Sequence, residues 1–326
     1  MPCLVRTLVC LLSVLGLSLP AVAVAAEAYP AKPIRLLVPF PPGGPADVLG
    51  RVVGERLGAS FGKPVVVENR PGAGGNIAME LGAKAAPDGY TLVLAPAGNL
   101  TVNPSLYRSV PYDVGRDFAP VTVLAAVPNI LVVNPSLGVK SVADLVRYAK
   151  AHPGALNFSS PGPGSGAHLA GELFKSMAGV DMVHVPFSGV APAVTAVLGG
   201  QVQVMFAGTS SVLQHIKAGK LEGLAVASAK RIAAAPELPT VAESGLPGFE
   251  VVSWYGIVAP AATPPEIVAR LQSAIATALH EPEVREKLVG LGAEPIGNTP
   301  QAFGAMIQTE TVKWSKIVRD AKITIE

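Results

Sequence analysis

The side chains best placed for chemistry are His168 and Glu172, one helical turn apart, with the Ser165 hydroxyl just ahead of them. A histidine and a carboxylate at that spacing could exchange a proton or occupy two positions on a metal ion. Either chemistry needs partners at defined spacings, and the chain has no His-Glu-x-x-His run and no Gly-x-Ser-x-Gly elbow. A hydrogen bond along the helix is the simpler reading of the pair, and Ser165 lacks the setting of a nucleophile. Both cysteines, Cys3 and Cys10, sit in the apolar N-terminal stretch, so the rest of the chain has neither thiol chemistry nor a disulfide. What remains is backbone chemistry.

Two segments gather backbone donors at a strand-to-helix corner. In Val38-Pro-Phe-Pro-Pro-Gly-Gly-Pro-Ala-Asp47 the apolar run Ile34–Val38 reads as a buried strand. Pro41 and Pro42 fix φ, Gly43 and Gly44 permit unusual φ, and Pro45 suits a first helical turn. Bare N–H groups at such a helix start attract an anion without any cationic side chain. The other reading is a plain tight turn. Asp47 could face a ligand, or it could satisfy first-turn N–H groups of its own helix. The second corner, Ser159-Ser-Pro-Gly-Pro-Gly-Ser-Gly-Ala-His168, also follows a strand and opens a helix. It is not a P-loop, because no Gly-Lys-Ser/Thr occurs, and its glycines do not fit a dinucleotide fingerprint. Pro71–Asn76 is a third glycine-rich turn, read as a structural loop because Glu68 and Arg70 flank it.

The elements that must hold these corners alternate strand and helix, the pattern of an α/β fold with mostly parallel sheets. Strands are predicted at 34–38, 65–68, 91–94, 121–127, 130–133, 156–158, 183–185, 202–206 and 223–227, with Pro128-Asn129 as a break. Helical patterns fill 47–57 and 76–84, Ser141 caps another, and the last third is helical at 264–279, 282–291 and 300–321. The long apolar stretches 121–133 and 250–258 read as two crossings between lobes. Such crossings make the first lobe discontinuous: 27–126 plus 254–326, with the second lobe at 127–253. The ligand cleft is expected between them, at the carboxyl ends of strands. Trp254 and Tyr255, on the second crossing, pack the hinge or wall the cleft.

Residues 1–26 read as an export signal: Arg6, an apolar core at 8–19, and small residues ending in Val24-Ala25-Ala26. A membrane-spanning helix is the competing reading. Loss of Arg6 with this leader leaves 24 basic against 23 acidic residues, and no basic run exists to follow a phosphate backbone, so nucleic acid is excluded as a partner.

The whole chain beyond the leader resembles the Bug family, the TctC-like substrate-binding components of tripartite tricarboxylate transporters. The motifs are Tyr29-Pro-x-Lys-Pro-Ile-Arg35, Val38-Pro-Phe-Pro-Pro-Gly-Gly44, Val67-Glu-Asn-Arg-Pro-Gly-Ala-Gly-Gly-Asn76, Ala86-Pro-Asp-Gly-Tyr90, Asn103-Pro-Ser-Leu-Tyr107, His168-Leu-Ala-Gly-Glu172, His184-Val-Pro186, His215-Ile-Lys-Ala-Gly-Lys220, Pro239-Thr-Val-Ala-Glu243 and Gly245-Leu-Pro-Gly248. The resemblance implies a two-lobed periplasmic binding protein that closes on a small organic acid and passes it to a membrane permease. It implies no enzyme activity, no cofactor and no metal, and a receptor that works as a monomer. The residues it implicates are Phe40, Pro42, Gly43, Gly44, Ser165, Gly166, Ala167 and His168, with Ala97, Gly98 and Asn99 after the third strand and Phe187 and Ser188 opposite.

Three departures from the family pattern matter. Gly166-Ala167 replaces hydroxyl residues, Ala207 stands where an acidic residue is common, and Phe187 replaces a tyrosine. These departures point to a less polar monocarboxylate or aromatic acid rather than an amino acid. Two other functions remain open: a ligand-sensing partner of a signalling protein, and a secreted hydrolase.

Overall fold

The computed structural model describes residues 29–320 and 323; the expected export signal at 1–26 lies outside them. The described residues form one ten-stranded sheet: β1 (Ile34–Val38), β2 (Val65–Asn69), β3 (Thr91–Pro96), β4 (Phe118–Val133), β5 (Leu156–Ser160), β6 (Met182–Pro186), β7 (Val204–Gly208), β8 (Glu222–Val226), β9 (Val252–Pro260) and β10 (Glu294–Pro295). Their order is β2-β1-β3-β9-β4-β7-β5-β6, with β8 and β10 also on β4. β1, β2 and β3 are parallel, as are β5, β6 and β7. The mixed α/β architecture thus has two parallel halves joined by antiparallel strands.

β4 makes the joint. Its first part pairs with β9 as far as Pro128 opposite Val252, and its last part pairs with β7 from Asn129 opposite Gly208. The expected break at Pro128-Asn129 is therefore wrong: the strand runs straight through. A proline cannot donate to a ladder, and Pro128 stands where β4 exchanges one partner for another. Its carbonyl is not wasted, because Thr209 Oγ1 donates to it at 2.8 Å. Asn129 O accepts from Ala227 N at 2.8 Å.

Each half buries its own apolar layer. Ile34, Leu36 and Val38 of β1 pack with Leu49, Val53 and Leu57 of the helix Pro45–Phe61 and with Leu271 and Ile275 of the helix Pro265–His280. That pattern follows from helical spacing along one face against a strand buried on both sides. In the other half Phe158, Phe174, Phe206 and Phe249 form one cluster. Trp314 and Val318, on the last helix Pro300–Asp320, belong to this second cluster, so the chain's end ties the halves together.

Trp314 is 3% exposed and its Nε1 donates to Glu310 Oε2 at 2.8 Å. Trp314→Ala removes a large buried ring, and a loss of about 3–5 kcal/mol is expected. Urea unfolding followed by far-UV circular dichroism measures it.

Candidate functional site

Four helix N-termini converge on one cavity between the halves. From the first half come Pro45–Phe61, capped by Gly44, and the short helix Ala97–Thr101, capped by Pro96. From the second come Gly166–Ala178, capped by Ser165, and Val190–Leu198, capped by Gly189. The cavity has a volume of about 90 Å³, and residues at the start of all four helices line it. At roughly 10–15 Å³ per water-sized particle, that space suits a small organic ligand.

Among the described residues, no Lys, Arg, His, Asp or Glu lines this cavity. The N–H groups of Ala46, Gly166 and Ala167 have no acceptor among the described residues. First-turn amides lack intrahelical acceptors by geometry, and each full helix places on the order of half a positive charge at its start. The wall is therefore positive in potential while carrying no formal charge, a setting for an anion.

The Asp47 carboxylate, 4% exposed, organises the first corner from behind. It accepts from Gly43 N at 3.0 Å, Arg51 Nε at 3.0 Å and Asn69 Nδ2 at 2.9 Å. Asn69 Nδ2 also reaches Phe40 O at 2.9 Å. Burial raises the Asp47 pKa, but the donors from Arg51, Gly43 and Asn69 outweigh it and hold the group below its ordinary value. Asp47 neither lines the cavity nor bonds a first-turn amide; it pins the Gly43 N–H ahead of the helix and is held there by Arg51 and Asn69. Gly43 sits at φ +87, a conformation glycine adopts without strain.

The second corner is tied by its own side chains. Ser165 Oγ donates to Gly162 O at 2.7 Å and accepts from His168 N at 3.3 Å. Gly164 N donates to His168 Nδ1 at 3.2 Å. His168 does not bond Glu172, as the spacing had promised; Glu172 instead takes Lys175 Nζ at 3.0 Å. His168 stacks on His184 at 4.1 Å, and His184 Nε2 meets Ser160 Oγ at 2.7 Å. Burial, the neighbouring His184 and Lys175 push the His168 pKa down to about 3. Burial and Lys175 push that of His184 down to about 4.

The two halves meet closely around the cavity. Gly98 lies against Gly164 O so tightly that a Cβ would collide with it. A Cβ on Gly74 would come within 2.9 Å of Pro163 O. Asn99 Nδ2 holds the Gly74 carbonyl at 3.0 Å and Asn76 Oδ1 at 3.1 Å, fixing the third glycine-rich turn beside the site.

Of the residues expected at the site, Phe40, Pro42, Gly44, Ala97, Gly98, Asn99, Ser165, Gly166, Ala167 and Ser188 line the cavity. Gly43, His168, Phe187 and Ala207 do not. Gly43 spends its N–H on Asp47, and His168 is 1% exposed behind its loop. Phe187 packs against the apolar cluster of Ile130 and Met205, and Ala207 is fully buried within it. The absence of an acidic residue at position 207 therefore does not act on a ligand directly. Sequence reasoning missed Asn129 and Ser253, which line the cavity from β4 and β9 with Asn129 Nδ2 donating to Ser253 Oγ at 3.2 Å. It also missed the helix start at Gly189-Val190, whose signal was the glycine before an apolar run. Trp254 both packs the hinge, edge-on to Phe303, and lines the cavity with Tyr255.

A ligand cavity enclosed by two α/β halves, with strands crossing between them, defines a two-lobed periplasmic binding protein. Residues 49–323 match the model of the tripartite tricarboxylate transporter family receptor, TctC, and the chain belongs to that family. Protein BugT of Bordetella pertussis is 41% identical over 315 residues, 95% of this chain and 97% of that protein. The structure of R. palustris Rpa4515 with adipate is 40% identical with a TM-score of 0.88, covering 91% of this chain and 99% of that one. The periplasmic binding protein BugD is 34% identical with a TM-score of 0.86, covering 91% of this chain and 100% of that one.

The neutral histidine pair gives a pH dependence of stability. Below the ordinary histidine pKa of 6.5 the unfolded chain gains protons that folded His184 refuses until about pH 4. Stability from this pair is full above 6.5 and falls as pH drops through that window. His184→Phe is expected to give a shallower fall in Tm between those pH values than the parent chain, read by thermal scanning at several pH values. A different result follows from Gly98→Ala: unliganded stability stays within about 1 kcal/mol while affinity for a bound acid drops at least about tenfold. Calorimetric titration beside thermal unfolding checks both halves of that expectation.

Proposed function

We propose that this chain is a periplasmic receptor that captures a small carboxylate in the cleft and delivers it to a membrane permease of the tripartite tricarboxylate type. The observation that carries this is the charge-free cavity wall into which helix N-termini from both lobes direct unpaired amides. A carboxylate placed there accepts hydrogen bonds from both sides at once, so it interacts more strongly with the closed cleft than with either lobe alone. That differential interaction drives closure. The lobes divide at 126/127 and 253/254, with the last helix reaching across to the second. The related structure of Rpa4515 with adipate supports an organic acid as the guest.

The ligand is a carboxylate without an ammonium group, because no acidic side chain lines the cavity to receive one. Burying an unpaired ammonium costs far more than a small pocket returns. The chain carries out no reaction on its ligand: Ser165 Oγ is engaged with Gly162 O, and neither His168 nor His184 lines the cavity. Export through the segment 1–26 places it outside the cytoplasm, working as a monomer without cofactor.

Native mass spectrometry of protein purified from its own host, followed by thermal-shift profiling, tests this reading. A co-purified organic acid of matching mass, and stabilisation by carboxylates but not by amino acids, is the expected outcome. Stabilisation by aspartate or glutamate above that by simple acids sinks it.

A further inference from the structure

Beside the anion cavity lies a second and larger one, about 410 Å³, walled by Val48 and Leu49 of the first lobe and Val194 and Leu198 of the second. The two cavities share Pro45, Val127, Val190 and Ala191, so the partition between them is one residue thick and apolar. It is made by two helix ends from opposite lobes together with Val127 of β4. A Cβ on Gly44 would stand 3.8 Å from Val190 Cγ2, ordinary contact distance, and no hydrogen bond or ion pair ties these ends together among the described residues. Nothing but van der Waals contact closes the partition, and any separation of the lobes opens it. Ser210, Ser211 and His215 give the far side of the second cavity a polar border.

We propose that the physiological ligand is an elongated aliphatic acid whose carboxylate sits among the amides of the first cavity and whose chain passes between Pro45 and Val190 into the second. This deepens the carboxylate-receptor reading and rests on it. At about 90 Å³ the first cavity has room for roughly six to nine water-sized particles, enough for a carboxylate and a few methylenes. The second supplies an apolar sleeve formed by both lobes, so a chain lying there contributes to closure as well as to affinity. The polar border would meet a second carboxylate in a diacid, or leave the end of a monoacid in water.

The test is calorimetric titration of the leader-free chain with butyrate through octanoate and with succinate through suberate. Affinity is expected to rise about fourfold per added methylene until the second cavity is full. Two variants fill that cavity without touching the first: Leu198→Trp, and Thr195→Trp at an exposed position. Both should bind the shortest acids as the parent does and lose the gain with length. Equal affinity along both series overturns the inference, as does a gain that survives in both variants. Failure of every acid to bind, at any length, overturns the receptor reading itself. A steeper gain in the diacid series assigns the polar border to a second carboxylate.

Discussion

The structure turns on amides that are left without acceptors. A buried N–H normally finds a partner, and leaving one unpaired costs on the order of 1–3 kcal/mol. Here Ala46, Gly166 and Ala167 stand on opposing walls with no acceptor among the described residues. Everything around them is arranged so that no protein group supplies one. Pro45 has no N–H to waste, Asp47 is held behind the corner by Arg51 and Asn69, and the Ser165 hydroxyl is turned back to Gly162. An incoming carboxylate is the missing acceptor.

Rigidity follows from the same demand. Both corners are fixed by proline, glycine and short polar bonds, and both rest on strands buried in apolar clusters. The two halves are joined through β4 and β9, where pairing changes hands near Pro128. Close glycine contacts such as Gly98 against Gly164 then mark how far the lobes can approach. A single Cβ at that contact is enough to hold them apart.

Much of this was legible in the residues. β1 lies at Ile34–Val38 as its branched apolar run required, and the helices after Pro264, Pro282 and Pro300 start where proline sets the first turn. Local signals sufficed because these elements are dictated by near neighbours. Pro128 misled because its meaning depends on strands more than seventy residues away. Asn129 and Ser253 were invisible for the same reason: they meet only when two crossing strands pair. Ala207 looked like a ligand position on resemblance, yet strand β7 turns it into the core. Side chains that face a cleft are set by register, and register is a property of the folded sheet.

A wall that holds its guest by fixed dipoles has nothing for dissolved salt to neutralise. Surface ion pairs weaken as ionic strength rises, whereas enclosed dipoles in a dry cleft are screened much less. A receptor built this way depends less on ionic strength than one that pairs its ligand with exposed charges. It gives up long-range electrostatic attraction in exchange, so capture begins only when the acid has already drifted into the open mouth.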